Sequence, residues 1–91
     1  MKWSDLKNEI RSLSPEEKAE LELVASIASV RKSRNLTQAQ LATRANLSQA
    51  QVARVENLSY APSLDTLTKI VHGLGLELAL VDSKTGKLVK A

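Results

Sequence analysis

The sequence contains no cysteine and no phenylalanine, and one tryptophan and one tyrosine are its only aromatic residues. Without cysteine the chain cannot form a disulfide framework, a thiolate metal site or a cysteine nucleophile. With so few aromatic side chains its core must be aliphatic, which favours compact helices. No apolar run approaches the roughly 20 residues of a membrane-spanning helix, and no hydrophobic stretch follows Met1 as in a signal peptide. We therefore expect a soluble cytoplasmic protein with no membrane contact.

Charge is distributed unevenly along the 91 residues, a length that corresponds to one domain with short appendages. Residues 1–30 carry four basic and six acidic side chains, a balance of −2, whereas residues 31–91 carry nine basic and four acidic ones, a balance of +5. Between residues 31 and 60 Glu56 is the only acidic side chain. The basic ones there are Arg31, Lys32, Arg34, Arg44 and Arg54. Such a stretch is typical of a phosphate-binding surface, and also of a merely solvated face.

The first segment of the chain predicts a short amphipathic helix. Its apolar residues recur at helical spacing: Trp3, Leu6, Ile10 and Leu13. A helix of about ten residues does not persist alone in water, so this apolar stripe must lie on the rest of the chain or on another protein. The sequence leaves both alternatives open.

A longer helix is predicted from Ser14 to about Arg34. Ser14 is a good N-cap, Pro15 fits the first helical position, and Glu16 and Glu17 suit the first turn, where Glu17 can complete a capping box. Apolar residues form two neighbouring stripes along this helix, namely Leu21, Val24, Ala28 and Leu23, Ile27, Val30. A helix with so wide an apolar surface is expected to be covered on two sides.

Two short helices follow, joined by a tight turn. Each begins with a capping pair, a Ser or Thr followed three residues later by Gln: Thr37 with Gln40, and Ser48 with Gln51. These pairs predict helices over residues 38–45 and from 49 to about 57. Asn46 between them tolerates the positive φ of a tight turn, and the small Ala42 lets the helices cross at a steep angle. The apolar residues behind the crossing are Leu41, Ala45, Leu47, Val52 and Val55.

The C-terminal part predicts one more helix and then a change of pattern. Ser63 caps a helix that ends at Gly73, and residues 76–81 alternate with a period of two, which predicts a strand. Residues 82–86 have turn chemistry, and residues 87–90 return as a second short strand. An isolated two-stranded hairpin is marginal in water, so we expect it to pair with its counterpart in a homodimer. A frayed tail is the alternative, and the long apolar helix is the other candidate for the dimer interface.

About half of the chain carries a specific set of motif residues. They are Arg31, Leu36-Thr-Gln-x-x-Leu-Ala42, Leu47-Ser48, Val52-x-Arg54-x-Glu56, Pro62-Ser63, Leu67-x-x-Ile70 and Leu74-Gly75. In these residues the stretch resembles the Cro/repressor-type (XRE) helix-turn-helix family. The chain departs from the family at Asn46 and Leu58, where the family usually has glycine. We expect Asn46 to cost a little stability, and Leu58 leaves the conformation of its loop open.

The resemblance implies an internal ion pair and contacts with the phosphates of DNA. Arg31 and Glu56 match the positions at which family members form an ion pair between the first helix of the domain and the end of the recognition helix. The residues expected at phosphates are Gln38, Ser48 and Asn57, together with Arg44 from the basic stretch. Contacts of this kind position a protein on DNA without specifying the sequence.

Base reading is expected from the exposed face of the second helix of the motif. The candidates are Gln49, Ala50, Gln51 and Arg54. Glutamine can pair with adenine, arginine with guanine, and a small apolar side chain can contact a thymine methyl group. A solvated helix surface is the alternative for the two glutamines.

The flanking segments resemble HigA-type antitoxins of type II toxin-antitoxin systems in their short N-terminal helix, Ser-Pro-Glu-Glu helix start and Leu-rich C-terminal strand. This resemblance implies a protein that neutralises a basic, RelE-like mRNA-cleaving toxin and represses its own operon by binding palindromic operator DNA as a homodimer. The acidic first 30 residues fit such a partner. Toxin contact is expected from Trp3, Leu6, Ile10, Leu13, Glu16 and Glu17. A stand-alone repressor of phage type, without a toxin partner, is the alternative.

The sequence does not predict an enzyme. Its only histidine, His72, is seven residues from Asp65 on the last helix, without a glycine-rich phosphate loop or a metal-spaced cluster. We expect neither a metal nor a cofactor. The predicted fold is mainly α, a five-helix Cro/repressor-like domain over residues 21–75. Residues 1–20 are expected to form an N-terminal helical extension and the start of the long helix, and residues 76–91 a short β strand or hairpin for dimerisation.

Overall fold

The computed structural model describes residues 13–58 and 61–89. Its regular structure consists of four helices: α1 (Pro15–Ser33), α2 (Gln38–Ala45), α3 (Gln49–Glu56) and α4 (Leu64–Gly73). The prediction of a mainly helical fold is confirmed. The predicted N-terminal helix over residues 3–13 falls almost wholly outside the described residues, so the count of five helices is not supported.

Each helix begins after a serine or threonine whose side chain accepts a hydrogen bond from the backbone N–H of the third helical residue. These N-caps are Ser14, Thr37, Ser48 and Ser63. In α1, α2 and α3 the third residue also accepts from the N-cap backbone, which completes the predicted capping boxes. Because a capping box satisfies amide groups that a helix leaves unpaired, it fixes where each helix starts.

The core is aliphatic and lies where the four helices meet. Its fully buried side chains are Leu41, Val52, Val55, Ile70 and Leu74. Val24 and Ile27 bring α1 into this cluster, whereas Leu23 on the second predicted stripe is 38% exposed. Ile27 and Val30, on the same stripe as Leu23, also pack on the core. The expectation of a covered second stripe is therefore not met at Leu23.

Helix α4 packs closely on α2 at Gly73. A Cβ atom at this position would lie 3.1 Å from Ala45 Cβ and 3.1 Å from Leu41 Cδ1. Such distances are shorter than ordinary van der Waals contacts, so a side chain there would require these neighbours to shift by a few tenths of an ångström. Glycine at the end of α4 thus allows the helix-turn-helix to rest directly on α4.

In the part of the chain that the structure describes, three residues other than glycine have a positive φ, and each follows a helix. Asn35 has φ 57° and Asn46 φ 58°, as predicted for left-handed turn residues. Leu58, after α3, has φ 60°. The sequence did not determine the conformation of this loop. Its first residue, Leu58, adopts the left-handed conformation that glycine adopts without strain.

Replacing Leu58 by glycine is expected to raise the free energy of unfolding by about 0.5–1 kcal/mol. A left-handed conformation costs a residue with a Cβ about 1–2 kcal/mol, and the greater freedom of glycine in the unfolded chain offsets part of that gain. Urea denaturation of the two proteins measures the difference. A less stable Leu58→Gly variant would mean that the half-exposed leucine side chain stabilises the fold by more than its backbone strain costs.

The predicted C-terminal strand and hairpin are not supported by the residues that the structure describes. Only one isolated antiparallel bridge forms, between Val81 and Leu88. It is accompanied by hydrogen bonds from Asp82 N to Lys87 O (2.8 Å) and from Val89 N to Leu80 O (2.9 Å). Two short arms without a third strand or a packed face do not sustain a regular ladder, because little apolar surface is buried between them.

Candidate nucleic-acid interface

The turn between α2 and α3 sets the angle at which α3 is presented. Asn46 adopts the left-handed conformation at the C-terminus of α2, and Leu47 N donates to Ala42 O (2.9 Å). Ala42 and Val52 are buried where the helices cross. The predicted roles of the small and left-handed residues in this geometry are confirmed, and α3 is held with its opposite face exposed.

An ion pair joins the end of α1 to the end of α3. Arg31 Nε donates to Glu56 Oε2 (2.8 Å) and Arg31 Nη2 to Glu56 Oε1 (2.9 Å), in the two-pronged geometry favoured by guanidinium and carboxylate groups. Arg31 Nη1 also donates to Leu36 O (2.8 Å). The Arg31 and Glu56 side chains are only 10% and 6% exposed. The structure thus contains the ion pair that the resemblance implied.

The environment of Arg31 favours its charged form. Its hydrogen bond to Glu56 raises the pKa of Arg31 above the usual value, desolvation by burial acts against this, and the negative charge of Glu56 adds to the increase. Arginine is already charged throughout the physiological range, so the pair does not act as a pH switch through Arg31.

Glu56 also begins a chain of hydrogen bonds that ends on the exposed face of α3, where base reading is predicted. Gln38 Nε2 donates to Glu56 Oε1 (3.2 Å), and Gln49 Nε2 donates to Gln38 Oε1 (3.2 Å). A carboxylate can only accept, so the Gln38 amide must turn its nitrogen to Glu56 and its oxygen to Gln49. Gln49 is left with its amide oxygen and one N–H, the acceptor and donor that pair with adenine.

This chain of hydrogen bonds was absent from the sequence prediction, which assigned its members to separate roles. The only signal for it is positional, because Gln38 and Gln49 each occupy the first position of their helix. That two such glutamines touch depends on how α2 and α3 cross. The sequence pattern alone does not provide this contact.

The other predicted base-reading residues differ in whether their side chains already form hydrogen bonds within the protein. Ala50 and Arg54 are exposed on α3, and Arg54 takes part in neither of the ion pairs found among the described residues. Gln51 is half-buried, and its Oε1 accepts from Ser48 N (2.9 Å). The Gln51 amide is therefore engaged in capping α3, and Gln49, Ala50 and Arg54 remain the freer set.

The predicted phosphate contacts lie on α2 and at the two ends of α3. Arg44, Ser48 and Asn57 are exposed, and Gln38 is half-buried. The Ser48 hydroxyl oxygen accepts from Gln51 N (3.1 Å), which leaves its O–H free to donate. Gln38 spends one N–H on Glu56 and keeps a second for a phosphate.

Half of the predicted toxin contacts lie outside the described residues, namely Trp3, Leu6 and Ile10. Leu13 is half-buried before α1. Glu16 and Glu17 are exposed in the first turn of α1, and Glu17 Oε1 accepts from Ser14 N (3.3 Å). The acidic start of α1 is thus present on the surface, and part of Glu17 serves the helix cap.

One structural contact of a basic residue was missed. Arg34 Nη1 donates to Leu74 O (2.6 Å), and thereby joins the end of α1 to the end of α4. From the sequence, Arg34 was predicted only as part of the basic stretch that is typical of a phosphate-binding surface.

Two negative findings apply to the described parts of the chain, residues 13–58 and 61–89. No group of three or more His, Cys, Asp or Glu residues is placed to hold a metal ion. No helix there has the length and apolar character to cross a membrane.

Comparisons with known proteins bear on the same region. A model of the family described as "Helix-turn-helix" matches residues 27–81. Among curated proteins, none matches the chain significantly. Among solved structures, a chain from a "Toxin-Antitoxin module from Streptococcus pneumoniae" is 30% identical with a TM-score of 0.65, and the similarity covers 91% of this chain and 93% of that one.

Proposed function

The chain belongs to the helix-turn-helix family, and from that premise we propose that it is a HigA-type antitoxin, which binds and neutralises a RelE-like mRNA-cleaving toxin and represses its own operon. A DNA-binding role rests on the family match, which spans α2, α3 and α4. The toxin-binding role is carried by one observation, the similarity to a toxin-antitoxin chain over nearly the full length of both chains. In this role the protein is a cytoplasmic regulator and has no catalytic activity.

The DNA-binding part of the proposal uses the exposed face of α3. Gln49, Ala50 and Arg54 would meet base edges in the major groove, with Gln51 at the rim of the contact, and the surrounding polar and basic side chains would hold phosphates. A helix-turn-helix dimer reads two half-sites about one helical turn apart, so the operator is proposed to be palindromic. A footprint limited to one asymmetric half-site would contradict the dimer.

The proposed function divides the chain among three tasks. We assign residues 21–75 to DNA binding, residues 1–20 to the toxin and residues 76–91 to dimerisation. The described start of α1 exposes Glu16, Glu17 and Glu20 without a basic residue other than Lys18. Such a surface attracts a basic protein over distances of about 10 Å at moderate salt.

A co-expression pull-down with the product of the neighbouring reading frame tests the toxin-binding role. We expect the full chain to retain a basic partner, and the double charge reversal Glu16→Lys with Glu20→Lys to retain much less of it. Asp65→Lys with Glu77→Lys is a matched control, because it makes the same change of charge at two exposed residues outside α1.

The outcomes separate the two candidate functions. Loss of the complex in the α1 variant, with retention in the Asp65 and Glu77 control, supports the antitoxin. If the full chain captures no product of either neighbouring frame but still binds DNA, the protein is a stand-alone repressor of phage type.

A further inference from the structure

The end of α4 is closed by two hydrogen bonds from the chain that follows it. Leu74 is the C-cap of this helix, and Gly75 comes next in the left-handed conformation, with φ 80°. Gly75 N donates to His72 O (2.9 Å), and Leu76 N donates to Val71 O (3.0 Å). Together these bonds form a Schellman motif, which is a common way to end a helix at a glycine.

The carbonyl group of Leu74 receives its donor from a different helix. Arg34, at the end of α1, places Nη1 2.6 Å from Leu74 O. The aligned peptide dipoles of a helix place about half a negative charge at its C-terminus, which favours a cation there. The last turn of α4 has no lysine or arginine of its own, so the cation comes from α1.

Gly75 makes the approach of this guanidinium possible. A Cβ atom on Gly75 would lie 3.1 Å from Arg34 Nη1. The glycine therefore meets two requirements at once, the left-handed conformation of the backbone and the space for the arginine.

Arg34 and α4 together hold both polar groups of one peptide bond. Leu74 O and Gly75 N–H belong to the same planar unit. The oxygen is bonded to the end of α1 and the N–H to His72 O of α4, so this unit cannot rotate without breaking one of the two bonds. The direction in which the chain continues from Gly75 is thereby fixed relative to both helices.

Few other bonds hold the chain beyond this point. Residues 76–89, which we call the C-terminal segment, are exposed at every position. After Leu76 the backbone hydrogen bonds that the structure shows for the segment join only its own residues, such as the bond from Val89 N to Leu80 O (2.9 Å). The direction in which the segment leaves the helices is therefore set at residues 74–76.

We propose that Arg34 is a positioning residue, whose guanidinium fixes the direction of the C-terminal segment, and that it does not hold a DNA phosphate. Arg34 is exposed, so a phosphate could reach it, but Leu74 is only 1% exposed. A guanidinium that turned to a phosphate would leave the buried Leu74 carbonyl without a donor, which is costly. The basic side chains between residues 31 and 60 that remain for DNA are Lys32, Arg44 and Arg54.

The direction of the C-terminal segment has a consequence for DNA reading, and this consequence rests on the proposed function. If the segment joins two copies, its direction relative to α3 sets the distance between the two base-reading helices. That distance in turn selects the separation of the half-sites in the operator. Arg34 would then act on operator selection without touching DNA.

Amide hydrogen exchange of the full chain tests the positioning role. Arg34→Ala removes the donor to Leu74, and Lys32→Ala makes the same change of charge at another exposed residue near the end of α1. We expect the Leu76 amide to exchange at least about tenfold faster in Arg34→Ala than in the wild-type chain, and at the wild-type rate in Lys32→Ala.

The amide of the buried Val55, on another helix, reports any general loss of stability in the same spectra. Equal exchange rates at Leu76 in the three proteins would overturn the proposal. The same acceleration at Val55 as at Leu76 would also overturn it, because the effect would then be global.

The salt dependence of binding to a non-specific duplex tests whether Arg34 holds a phosphate. Each phosphate contact contributes about 0.9 to the slope of log affinity against log salt concentration. We expect Arg34→Ala to keep the wild-type slope, whereas Arg44→Ala, at a predicted phosphate contact, loses about 0.9 of it. A loss of that size in Arg34→Ala would overturn the proposal.

A panel of duplexes with two half-sites at different separations tests the consequence for DNA. We expect the wild-type chain to prefer one separation at least about tenfold over those one base pair longer or shorter, and Arg34→Ala to reduce this preference at least about threefold. A loss of stability alone would weaken binding equally at every separation. An unchanged preference in Arg34→Ala would show that Arg34 only closes α4, and would overturn the proposal.

These measurements separate the inference from the proposed function. If the wild-type chain binds its toxin and DNA but Arg34→Ala behaves like Lys32→Ala throughout, the positioning role fails and the function stands. If exchange at Leu76 accelerates only in Arg34→Ala but the wild-type chain binds neither toxin nor DNA, the positioning role stands and the function fails.

Discussion

Replacing Glu56 by alanine is expected to lower the free energy of unfolding by about 3 kcal/mol. The variant removes the carboxylate that receives two hydrogen bonds from Arg31, while the guanidinium stays in a site where only 10% of its side chain is exposed. An uncompensated charge in such a site loses its hydration without recovering a partner. Urea denaturation followed by far-ultraviolet circular dichroism measures the loss.

Two control variants isolate the cause. Asp65→Ala removes the acidic partner of Lys69 from an exposed ion pair and is expected to change stability by less than about 0.5 kcal/mol. Replacing Arg31 and Glu56 together by methionine and leucine should recover most of the lost stability, because no unpaired charge is left. If the double variant is as unstable as Glu56→Ala, the unpaired charge of Arg31 is not the cause of the loss. The hydrogen bonds of the ion pair would then stabilise the fold themselves.

The double variant also separates stability from DNA reading. It keeps the fold but removes the carboxylate that orients the Gln38 amide, and so it frees the Gln49 amide to turn. We expect it to bind DNA with a weaker preference for adenine at the Gln49 position. The ion pair would then contribute to base selection as well as to folding.

Replacing Arg54 by alanine is expected to cost about 1–3 kcal/mol on the cognate operator and to leave non-specific DNA binding nearly unchanged. Arg54 is exposed on α3 and belongs to neither ion pair of the described residues, so its guanidinium is available for a guanine edge. Selection of bound duplexes from a random pool identifies the operator for the wild-type chain. Titration of that operator and of a scrambled duplex at one salt concentration then gives the loss of binding free energy on specific and on non-specific DNA.

Gln38→Ala is the comparison for this measurement. Its predicted phosphate contact does not depend on sequence, so this variant should weaken binding to both duplexes. Equal losses for Arg54→Ala and Gln38→Ala on every sequence would show that the two residues do not have different roles.

Local chemistry explains why the helices were predictable. The capping residues Thr37 and Ser48 lie next to the helices they start, and their hydrogen bonds span only three residues. The left-handed conformation of Asn46 was equally predictable, because it depends on the residue itself and its neighbours in the chain. For such features the sequence contains nearly all of the interacting groups within one turn of chain.

Longer-range features were predicted less well. The contact between Gln38 and Gln49 depends on the crossing of two helices, and the bond from Arg34 to Leu74 joins segments 40 residues apart. The alternating leucines of residues 76–81 indicate a strand, but a strand needs a neighbour, and within the described residues one bridge is all that forms. The ion pair of Arg31 with Glu56 was predicted only through the family resemblance.

The capping boxes have an electrostatic consequence. In α1 the third residue is Glu17, whereas in α2 and α3 it is glutamine, and neither of these two helices has an acidic residue in its first turn. The aligned peptide dipoles of a helix place about half a positive charge at its N-terminus, which a glutamate there would neutralise. Gln40 and Gln51 form the same hydrogen bonds without that neutralisation. The two helices of the motif thus keep a positive potential at their N-termini, while α1 presents the opposite sign.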